Sequence, residues 1–485
     1  MMIRPNTPSF TPTLKAAAPA AASAAAEASS VSSAPADAAD INFSAPSLSK
    51  TEVLLAATSA EAAELQGKLG DHKPGELIVR TRGGFSLTGD EGSVAADFGA
   101  KVIGTFDTPG GLHKSANGEF LHLQLPAGMT TEQAMAAMAK DSRVEFAVPN
   151  HTYTLGDFQK SESGPTNDPD FGKLWGLHNE GQTGGKVDAD IDAPEAWQIH
   201  TGRTQAQGAH ITAVIDTGVD YNHPDLAANM WVNPGEIPGD GIDNDGNGVI
   251  DDVHGYNAFA DNGDPMDGQG HGTHCAGTIA GVGNDGVGVV GVNQHANIMA
   301  VKIFNDEGAT DAAAIIRGIQ YATKNGARIT SNSWGGPVPN AGIRQAFADS
   351  PALHLVAAGN SGFNNDYLPS FPANYNLDNI ISVAATDHND GLAEFSQYGA
   401  RSVDLGAPGV DILSTVPGGK YDTYSGTSMA TPHVAGAATL IASANPEISN
   451  EELRRRLLDG TDKVDSLAGK TVTGGRLNVN NSLQA

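Results

Sequence analysis

Residues 209–218 read AHITAVIDTG, and they give the clearest indication of the fold. A short apolar run that ends in a turn signal is typical of a strand buried on both faces. Similar runs recur at 296–303, 353–358 and 380–385. Helical patterns fit between and after them, at 272–281, 311–325, 343–350, 427–444 and 450–458. This alternation predicts an α/β fold with a mostly parallel central sheet and helices on both of its faces.

The chain ahead of this region divides into predicted segments. Residues 1–72 are rich in Ala, Pro and Ser, so they bury too little apolar surface to offset ordering and are predicted to be a disordered leader. The pattern allows a short helix around 58–69. Residues 73–155 alternate strands and helices, which predicts a compact α+β domain. Residues 156–166 form a polar linker where we expect a processing site, and the large domain spans 167–485.

Charge and composition exclude several classes of function. The 485 residues carry 28 Lys+Arg against 56 Asp+Glu, a formal net charge of -28 at pH 7. This excess argues against nucleic-acid partners and against anionic membranes, and it leaves carboxylates for hard cations such as calcium. The N-terminus lacks the apolar core of a Sec-type signal. The single cysteine, Cys275, excludes an internal disulfide framework and a cysteine-based zinc site.

Two polar residues lie at the ends of predicted elements in glycine-rich settings. Asp216 ends the strand quoted above, where open α/β sheets place their sites; the alternative is an Asp that caps a turn. His271 begins a helix within GHGTHCAG, residues 270–277. A metal cluster of His271, His274 and Cys275 is the rival interpretation. Because no second ligand pair follows, we expect His274 to be a buried bystander.

Ser428 lies at the start of a helix within GTSMATPHVAG, residues 426–436. Backbone N–H groups at a helix N-terminus can stabilise an oxyanion, although a simple helix cap is the alternative. Asp216, His271 and Ser428, in this chain order, resemble the subtilisin-type serine proteases, the subtilases. The resemblance covers about residue 165 to the end. The cysteine after the histidine is similar to the thermitase and proteinase K branch of that family.

This resemblance implies a subtilisin-like three-layer sandwich preceded by a small α+β propeptide domain. It also implies a serine endopeptidase in which Ser428 is the nucleophile, His271 the base and Asp216 its partner. Asn360, in the motif AAGN at 357–360, matches the amide that donates to the oxyanion. Without the other three residues, an ordinary Gly-Asn turn would explain that motif.

The segment SNSWGG at 331–336 resembles the stretch whose backbone pairs with substrate in this family and lines the primary specificity pocket. Ser333, Trp334 and Gly335 map onto it. Core packing is the alternative role for Trp334. Because the segment holds no acidic residue, we expect a broad preference for apolar or aromatic side chains.

Oxygen donors alternate from position 243 onward around a turning glycine, as in a calcium loop of the EF-hand kind. The pattern assigns side chains of Asp243, Asp245, Asn247 and Asp251, and the backbone carbonyl of Val249. His254 replaces the usual glutamate at position twelve, so the bidentate ligand must come from Asp252 or elsewhere. A plain turn rich in Asp, Asn and Gly is the alternative.

A second calcium site is implied by the family resemblance alone. Its ligands would be Asp168, the carboxylates of Asp225 and Asp285, and the backbone carbonyls of Gly283, Val287 and Val289. Ca2+ is the expected cofactor at both sites.

Together these features predict a calcium-stabilised endopeptidase that is made as a self-processing zymogen and acts on proteins or peptides. Its own propeptide would be an intramolecular inhibitor. We expect a secreted monomer, exported by a route that the N-terminus does not reveal. The alternative is a catalytically silent relative that acts as a calcium-binding interaction protein.

Overall fold

The computed structural model describes most of the chain. The described residues are 69, 72–82, 93–106, 118–154, 159–160 and 170–485. All of them fall in one compact unit. The predicted leader up to residue 68, the short helix allowed there, Asp168 and most of the predicted linker lie outside the described residues.

The N-terminal domain is an antiparallel sheet packed on two helices. Its elements are β1 (His72–Thr81), α1 (Val94–Asp97), β2 (Lys101–Phe106), β3 (Phe120–Gln124), α2 (Thr131–Met138) and β4 (Val144–Thr154). The strands lie in the order β2-β3-β1-β4. Leu77 and Val79 of β1 pack with Met138 of α2. Thr130 caps α2, because its hydroxyl accepts from the Gln133 N–H at 3.2 Å while the Gln133 side chain accepts from the Thr130 N–H at 3.0 Å.

The second domain follows the short strand β5 (Gln159–Lys160). Its helices are α3 (Ala193–Trp197), α4 (His271–Ala280), α5 (Ala312–Lys324), α6 (Ala341–Asp349), α7 (Thr427–Ala444), α8 (Asn450–Asp459) and α9 (Val479–Gln484). Its strands are β6 (Ile211–Asp216), β7 (Gly255–Asn257), β8 (Ile298–Lys302), β9 (Ala309–Asp311), β10 (Ala327–Asn332), β11 (Leu353–Ala357), β12 (Ile380–Thr386), β13 (Leu405–Pro408), β14 (Ile412–Val416), β15 (Lys420–Ser425), β16 (Asp462–Lys463) and β17 (Gly475–Arg476). Short 3-10 turns lie at Phe171–Lys173, Gln205–Gln207, Ala227–Asn229 and Asp465–Leu467.

The central sheet has nine strands in the order β16-β17-β13-β12-β11-β10-β6-β8-β7. From β7 to β17 each described neighbour pairs in parallel, and β16 joins β17 antiparallel. The four predicted strands are β6, β8, β11 and β12, which lie in the middle of this sheet. The mostly parallel α/β sheet is therefore confirmed.

Strand β6 shows why the domain has three layers. Val214 packs in one cluster with Ala276 of α4 and Val434 of α7. Ile215 points to the other face and packs with Ile319 of α5. Since both faces of the strand are covered by helices, its sequence is apolar throughout instead of alternating.

Helix α6 begins at Ala341, two residues before the predicted start at 343. Asn340 is the cause, because its side-chain oxygen accepts from the N–H groups of Gly342 and Ile343 at 2.9 and 3.1 Å. Among the described helices, none is long and apolar enough to cross a bilayer.

Candidate active site

Asp216 and His271 form a buried pair at the carboxyl end of β6. The Nδ1–H of His271 donates to Oδ1 of Asp216 at 2.8 Å, and each side chain is 1% exposed. The N–H of Thr217 donates to the same carboxylate oxygen at 2.7 Å. This second donor holds the carboxylate in a fixed orientation toward the imidazole.

Close backbone packing brings helix α4 onto this strand end. A Cβ on Gly272 would lie 2.1 Å from the backbone oxygen of Gly218 and 3.0 Å from Cβ of Asp216. Glycine is therefore required at position 272 for this approach. The Gly272 N–H also donates to the hydroxyl of Thr217 at 2.8 Å, which ties the first turn of the helix to the residue that follows Asp216.

Ser428 lies in the first turn of α7 and contacts α4 at Cys275, one helical turn after His271. The thiol of Cys275 donates to the backbone oxygen of Ser428 at 3.5 Å. Ligand atoms of Asp216, His271 and Cys275 all lie within 4.8 Å of one another. The structure thus brings the three residues of the predicted triad to one place. The Ser428 hydroxyl donates to the backbone oxygen of Ser333 at 3.1 Å.

The neighbouring His and Cys side chains fit packing and not metal binding. His274 lies at 2.9 Å from the backbone oxygen of Ile412 and stacks on the Tyr424 ring at 4.4 Å. Burial lowers the pKa of His274 to about 3, so the ring is neutral. Burial also raises the pKa of the Cys275 thiol, which disfavours the thiolate that a metal needs.

Asn360 follows β11 and faces the start of α7. Its side-chain oxygen accepts from both the N–H and the hydroxyl of Thr427 at 2.8 Å. The amide Nδ2 therefore points the other way, and a Cβ on Gly426 would lie 3.3 Å from it. This orientation presents an amide donor beside Ser428, as the sequence comparison with the family motif predicts.

The segment predicted to bind substrate has one of its three named side chains in the core. Trp334 is 2% exposed, its indole N–H donates to the backbone oxygen of Ile215 at 3.0 Å, and its ring stacks with Phe347. Its side chain is therefore a core residue, which corrects the expectation that it lines a pocket; only its backbone can face a substrate. Ser333 donates through its hydroxyl to the backbone oxygen of Ser428 at 2.9 Å. Gly335 packs near the backbone of position 371.

The end of the N-terminal domain pairs with the second domain beside this site. Strand β4 runs antiparallel to β9, with Thr152 opposite Asp311 and Thr154 opposite Ala309. Strand β5 runs antiparallel to β15, with Gln159 opposite Ser425. One paired segment therefore precedes helix α5, and the other lies directly before the helix that carries Ser428.

Side chains of the N-terminal domain also reach the first turns of α5 and α6. Asn150 accepts from the N–H of Ala313 at 3.1 Å. His151 lies 2.8 Å from the Asn340 amide through Nδ1 and 2.7 Å from the backbone oxygen of Leu69 through Nε2. Burial lowers the pKa of His151 to about 4. The sequence offers no local pattern that marks Asn150 or His151, because both act across the domain boundary.

The first predicted calcium loop brings together carboxylates in a combination that differs from the one predicted by the sequence pattern. Oxygens of Asp243, Asp245 and Glu236 lie within 4.8 Å of one another. Glu236 was missed by the sequence pattern, because it precedes the loop and occupies no regular position in it. Asp251 accepts from the N–H groups of Gly239 and Gly241. The remaining predicted ligands take other contacts: Asp252 is buried against Asn233, Asn247 and Tyr321, and the N–H of Val249 donates to Asn247.

The second predicted calcium site centres on the buried Asp225. Its Oδ2 accepts from the Val289 N–H at 2.8 Å, and the Tyr421 hydroxyl is a further partner of the carboxylate. Burial, with the charge of Asp285 nearby, raises the pKa of Asp225 to about 7. A buried carboxylate with a second carboxylate nearby fits a cation. Gly283 and Val287 lie in the same loop, and Asp168 is outside the described residues.

Comparisons with known proteins match this geometry. The model of the subtilase family matches residues 208–480, and that of the fervidolysin N-terminal prodomain matches residues 58–150. Thermitase from Thermoactinomyces vulgaris is 40% identical over 299 residues, which are 61% of this chain and 94% of thermitase. Subtilisin Savinase from Lederbergia lenta is 39% identical over 276 residues, 54% of this chain and 91% of that protein.

A solved structure has both domains in common with this chain. It is fervidolysin from Fervidobacterium pennivorans, described as a keratinolytic enzyme related to subtilisin, with a TM-score of 0.64 at 26% identity. The match covers 86% of this chain and 62% of fervidolysin, less than two thirds of that protein. The family predicted from three motifs is confirmed: the chain belongs to the subtilase family of serine peptidases and carries a fervidolysin-like prodomain.

Proposed function

We propose that this protein is a serine endopeptidase made as a self-processing zymogen. The observation that carries the proposal is the buried 2.8 Å hydrogen bond between His271 and Asp216. One helical turn after His271, Cys275 contacts the backbone oxygen of Ser428. A bystander histidine would not need a buried carboxylate partner, since burying that charge is costly. The prodomain and the subtilase relatives support the same assignment.

In the proposed mechanism His271 accepts the hydroxyl proton of Ser428 through Nε2. The Ser428 hydroxyl first turns from the backbone oxygen of Ser333 toward the imidazole, a rotation about one side-chain bond. The Ser428 oxygen then attacks the scissile carbonyl carbon. Asp216 holds the proton-bearing Nδ1 and stabilises the imidazolium that forms.

The tetrahedral oxyanion would bind to two donors, the Nδ2 of Asn360 and the backbone N–H of Ser428. The imidazolium of His271 gives its proton to the leaving amine, and the peptide C–N bond breaks. Water then attacks the acyl-enzyme while His271 again accepts a proton, which frees Ser428. The positive end of α7 adds to the stabilisation of negative charge.

We infer that the prodomain inhibits the enzyme until the chain cuts itself. The pairing of β5 with β15 supports this, because β15 ends directly before the helix that carries Ser428. We place the bond that is cut in the predicted linker, residues 156–166. Mass spectrometry of the mature N-terminus should find a new end within this span, and an end upstream of Thr152 would contradict the proposal.

Calcium is proposed as a structural cofactor held by the Asp225 loop and by the loop of Glu236, Asp243 and Asp245. The ion would neutralise the carboxylates that these loops bring together. The burial of Asp225 near the charge of Asp285 supports the Asp225 site. A secreted location and a monomeric state remain predictions from the sequence.

The test is nucleophile labelling together with hydrolysis. A fluorophosphonate probe should label the processed protein at Ser428, and casein should be cleaved. Ser428→Ala should lose both reactions and should accumulate as the uncut chain. Intact calcium binding without labelling or hydrolysis would favour the alternative, a catalytically silent relative that acts as a binding protein.

A further inference from the structure

We propose that Asp267 is a positioning residue that holds the first turn of α4, and with it His271, in register with Asp216 and Ser428. This inference rests on the proposed peptidase function. Asp267 lies outside the triad and outside the residues that the sequence motifs mark as functional. It acts four residues ahead of His271, through backbone contacts and one hydroxyl.

The carboxylate of Asp267 is 3% exposed and receives four hydrogen bonds. Oδ1 accepts from the N–H groups of Gln269 and Gly270, both at 2.9 Å. Oδ2 accepts from the N–H and the hydroxyl of Thr273, at 3.0 and 2.6 Å. Because every partner is a donor, the carboxylate serves as an acceptor only, which is the role of its ionised form.

Burial raises the pKa of Asp267, and the bonds from Thr273 and from the backbone oppose that effect. Protonation of this buried carboxylate would point its O–H at a donor instead of an acceptor, and a hydrogen bond would be lost. The four donors therefore favour the ionised form. The negative charge also lies at the positive end of the α4 dipole, where it is stabilised.

Helix α4 needs this help because its own N-cap residue is Gly270. That glycine has a φ of 111°, in the left-handed region, and it offers no side chain to cap the helix. The first N–H groups are satisfied from elsewhere instead. His271 N–H donates to the side chain of Gln269 at 2.8 Å, Gly272 N–H to Thr217 at 2.8 Å and Thr273 N–H to Asp267.

These three contacts fix the helix start on two sides. Thr217 ties it to the strand of Asp216, and Asp267 ties it to the loop that leads into the helix. His271 is the first residue of the helix, so a tilt of this turn moves the imidazole against Asp216 and Ser428. A displacement of about 1 Å in such a constellation can cost on the order of 100-fold in rate.

The main test is Asp267→Asn. Either orientation of the new amide points an NH2 group at N–H donors that the carboxylate now binds, so the first turn must shift. We expect kcat to fall on the order of 100-fold with KM within about twofold. The rate of fluorophosphonate labelling of Ser428 should fall to the same extent, because it reports nucleophile activation without peptide binding.

A spectroscopic readout separates positioning from a loss of stability. In the Ser428→Ala background, the low-field proton resonance of the His271 Nδ1–H should shift or broaden in Asp267→Asn. The matched control is Asp404→Asn at the start of β13, the opposite end of the sheet. Asp404 is half-buried and accepts from the Ser382 N–H and from Arg454, both at 2.8 Å. This control should lower the melting temperature and leave kcat and the resonance unchanged.

A second pair of variants covers the case in which Asp267→Asn does not fold. Thr273→Val removes the hydroxyl that donates to Asp267 and that accepts from the Asp220 N–H at 3.0 Å, whereas Thr273→Ser keeps it. Thr273→Val should lower kcat about tenfold more than Thr273→Ser. Equal kcat in this pair, or a folded Asp267→Asn with wild-type kcat and resonance, would overturn the inference. An unlabelled, inactive wild type would instead refute the proposed function.

Discussion

The side chain of Asn360 has a donor end and an acceptor end, and its use depends on which end faces the substrate. Thr427 holds the acceptor end with two bonds of 2.8 Å. The donor end, Nδ2, therefore lies near Gly426 at the start of α7, where the oxyanion would form. A residue next to the nucleophile thus decides the orientation of a residue 67 positions earlier in the chain.

Replacing Asn360 by Ala should lower kcat strongly and leave KM nearly unchanged, because the lost bond forms only in the transition state. Removal of one such donor lowers kcat by about 100- to 1,000-fold, a magnitude that comes from subtilisin itself. Steady-state kinetics on a chromogenic peptide provide the measurement. Asn389→Ala, at an exposed turn, is the control and should match the wild type. A loss confined to KM would show that Asn360 only binds substrate.

Helix α4 and strand β6 form the element pair on which the Asp216–His271 bond depends. Their contact is backbone against backbone at Gly272, with 2.1 Å between the place of a Cβ and the Gly218 oxygen. Such a contact has little room to yield, because Gly272 lies in a fully buried helix and Gly218 follows two residues after the end of β6.

Gly272→Ala should therefore separate helix from strand. We expect a loss of about 1–3 kcal/mol in the free energy of unfolding, with a kcat decrease of at least tenfold. Urea unfolding, measured in the Ser428→Ala background to prevent self-digestion, gives the first value, and peptide hydrolysis gives the second. Gly172→Ala is the control, since a Cβ there meets no atom within 4 Å. Wild-type values in Gly272→Ala would mean that the close approach is dispensable.

The Asp225 loop is the element in which calcium should matter most. Removal of the ion with EDTA leaves the negative charge of the buried Asp225 carboxylate without its cation. The melting temperature should therefore fall by roughly 10 °C if the free calcium concentration before EDTA is about 1,000 times the Kd. In Asp225→Asn this EDTA effect should shrink, whereas Asp378→Asn, at an exposed position, should keep it. Calorimetry with and without EDTA tests this, and an EDTA effect of equal size in all three proteins would exclude Asp225 as a ligand.

At the scale of the whole molecule, the prodomain docks by completing the helix starts of the peptidase domain. Asn150 accepts from the first turn of α5, and His151 contacts Asn340, which caps α6. Lys73 and Asp311 form an ion pair across the same boundary. Docking therefore combines these polar contacts, which must match in protonation state, with the packing of Ile78 and Val148 in the core of the peptidase domain.

This interface should loosen in acid through His151. Its pKa falls from 6.5 to about 4 on burial, so the stability that its neutral form provides is complete above about pH 6.5 and is lost as the pH falls toward 4. The full effect is about 3 kcal/mol. Calorimetry of the uncut Ser428→Ala chain at pH 7 and pH 4.5 should show a larger loss than in the same chain with His151→Gln. His178→Gln, outside the interface, is the control and should behave like the parent; an equal loss with His151→Gln would refute this role.

The features that depend on neighbours along the chain could be predicted from the amino-acid sequence. Buried strands, helix starts and the three motifs around Asp216, His271 and Ser428 could be predicted, because backbone sterics and short-range capping act over a few residues. The same holds for the Thr130 capping box. The family and the α/β fold could be inferred from these local patterns.

Contacts between residues that are distant in the chain became visible in the folded molecule. The structure placed the Trp334 side chain in the core, added Glu236 to the carboxylates of Asp243 and Asp245, and showed that Asp267 supports the helix of His271. These roles depend on contacts between segments that are packed together by burial of apolar surface. The hydrophobic effect is non-directional, so it does not select particular pairs of residues. Position in the chain therefore does not reveal them, and only the packed molecule sets which donor meets which acceptor.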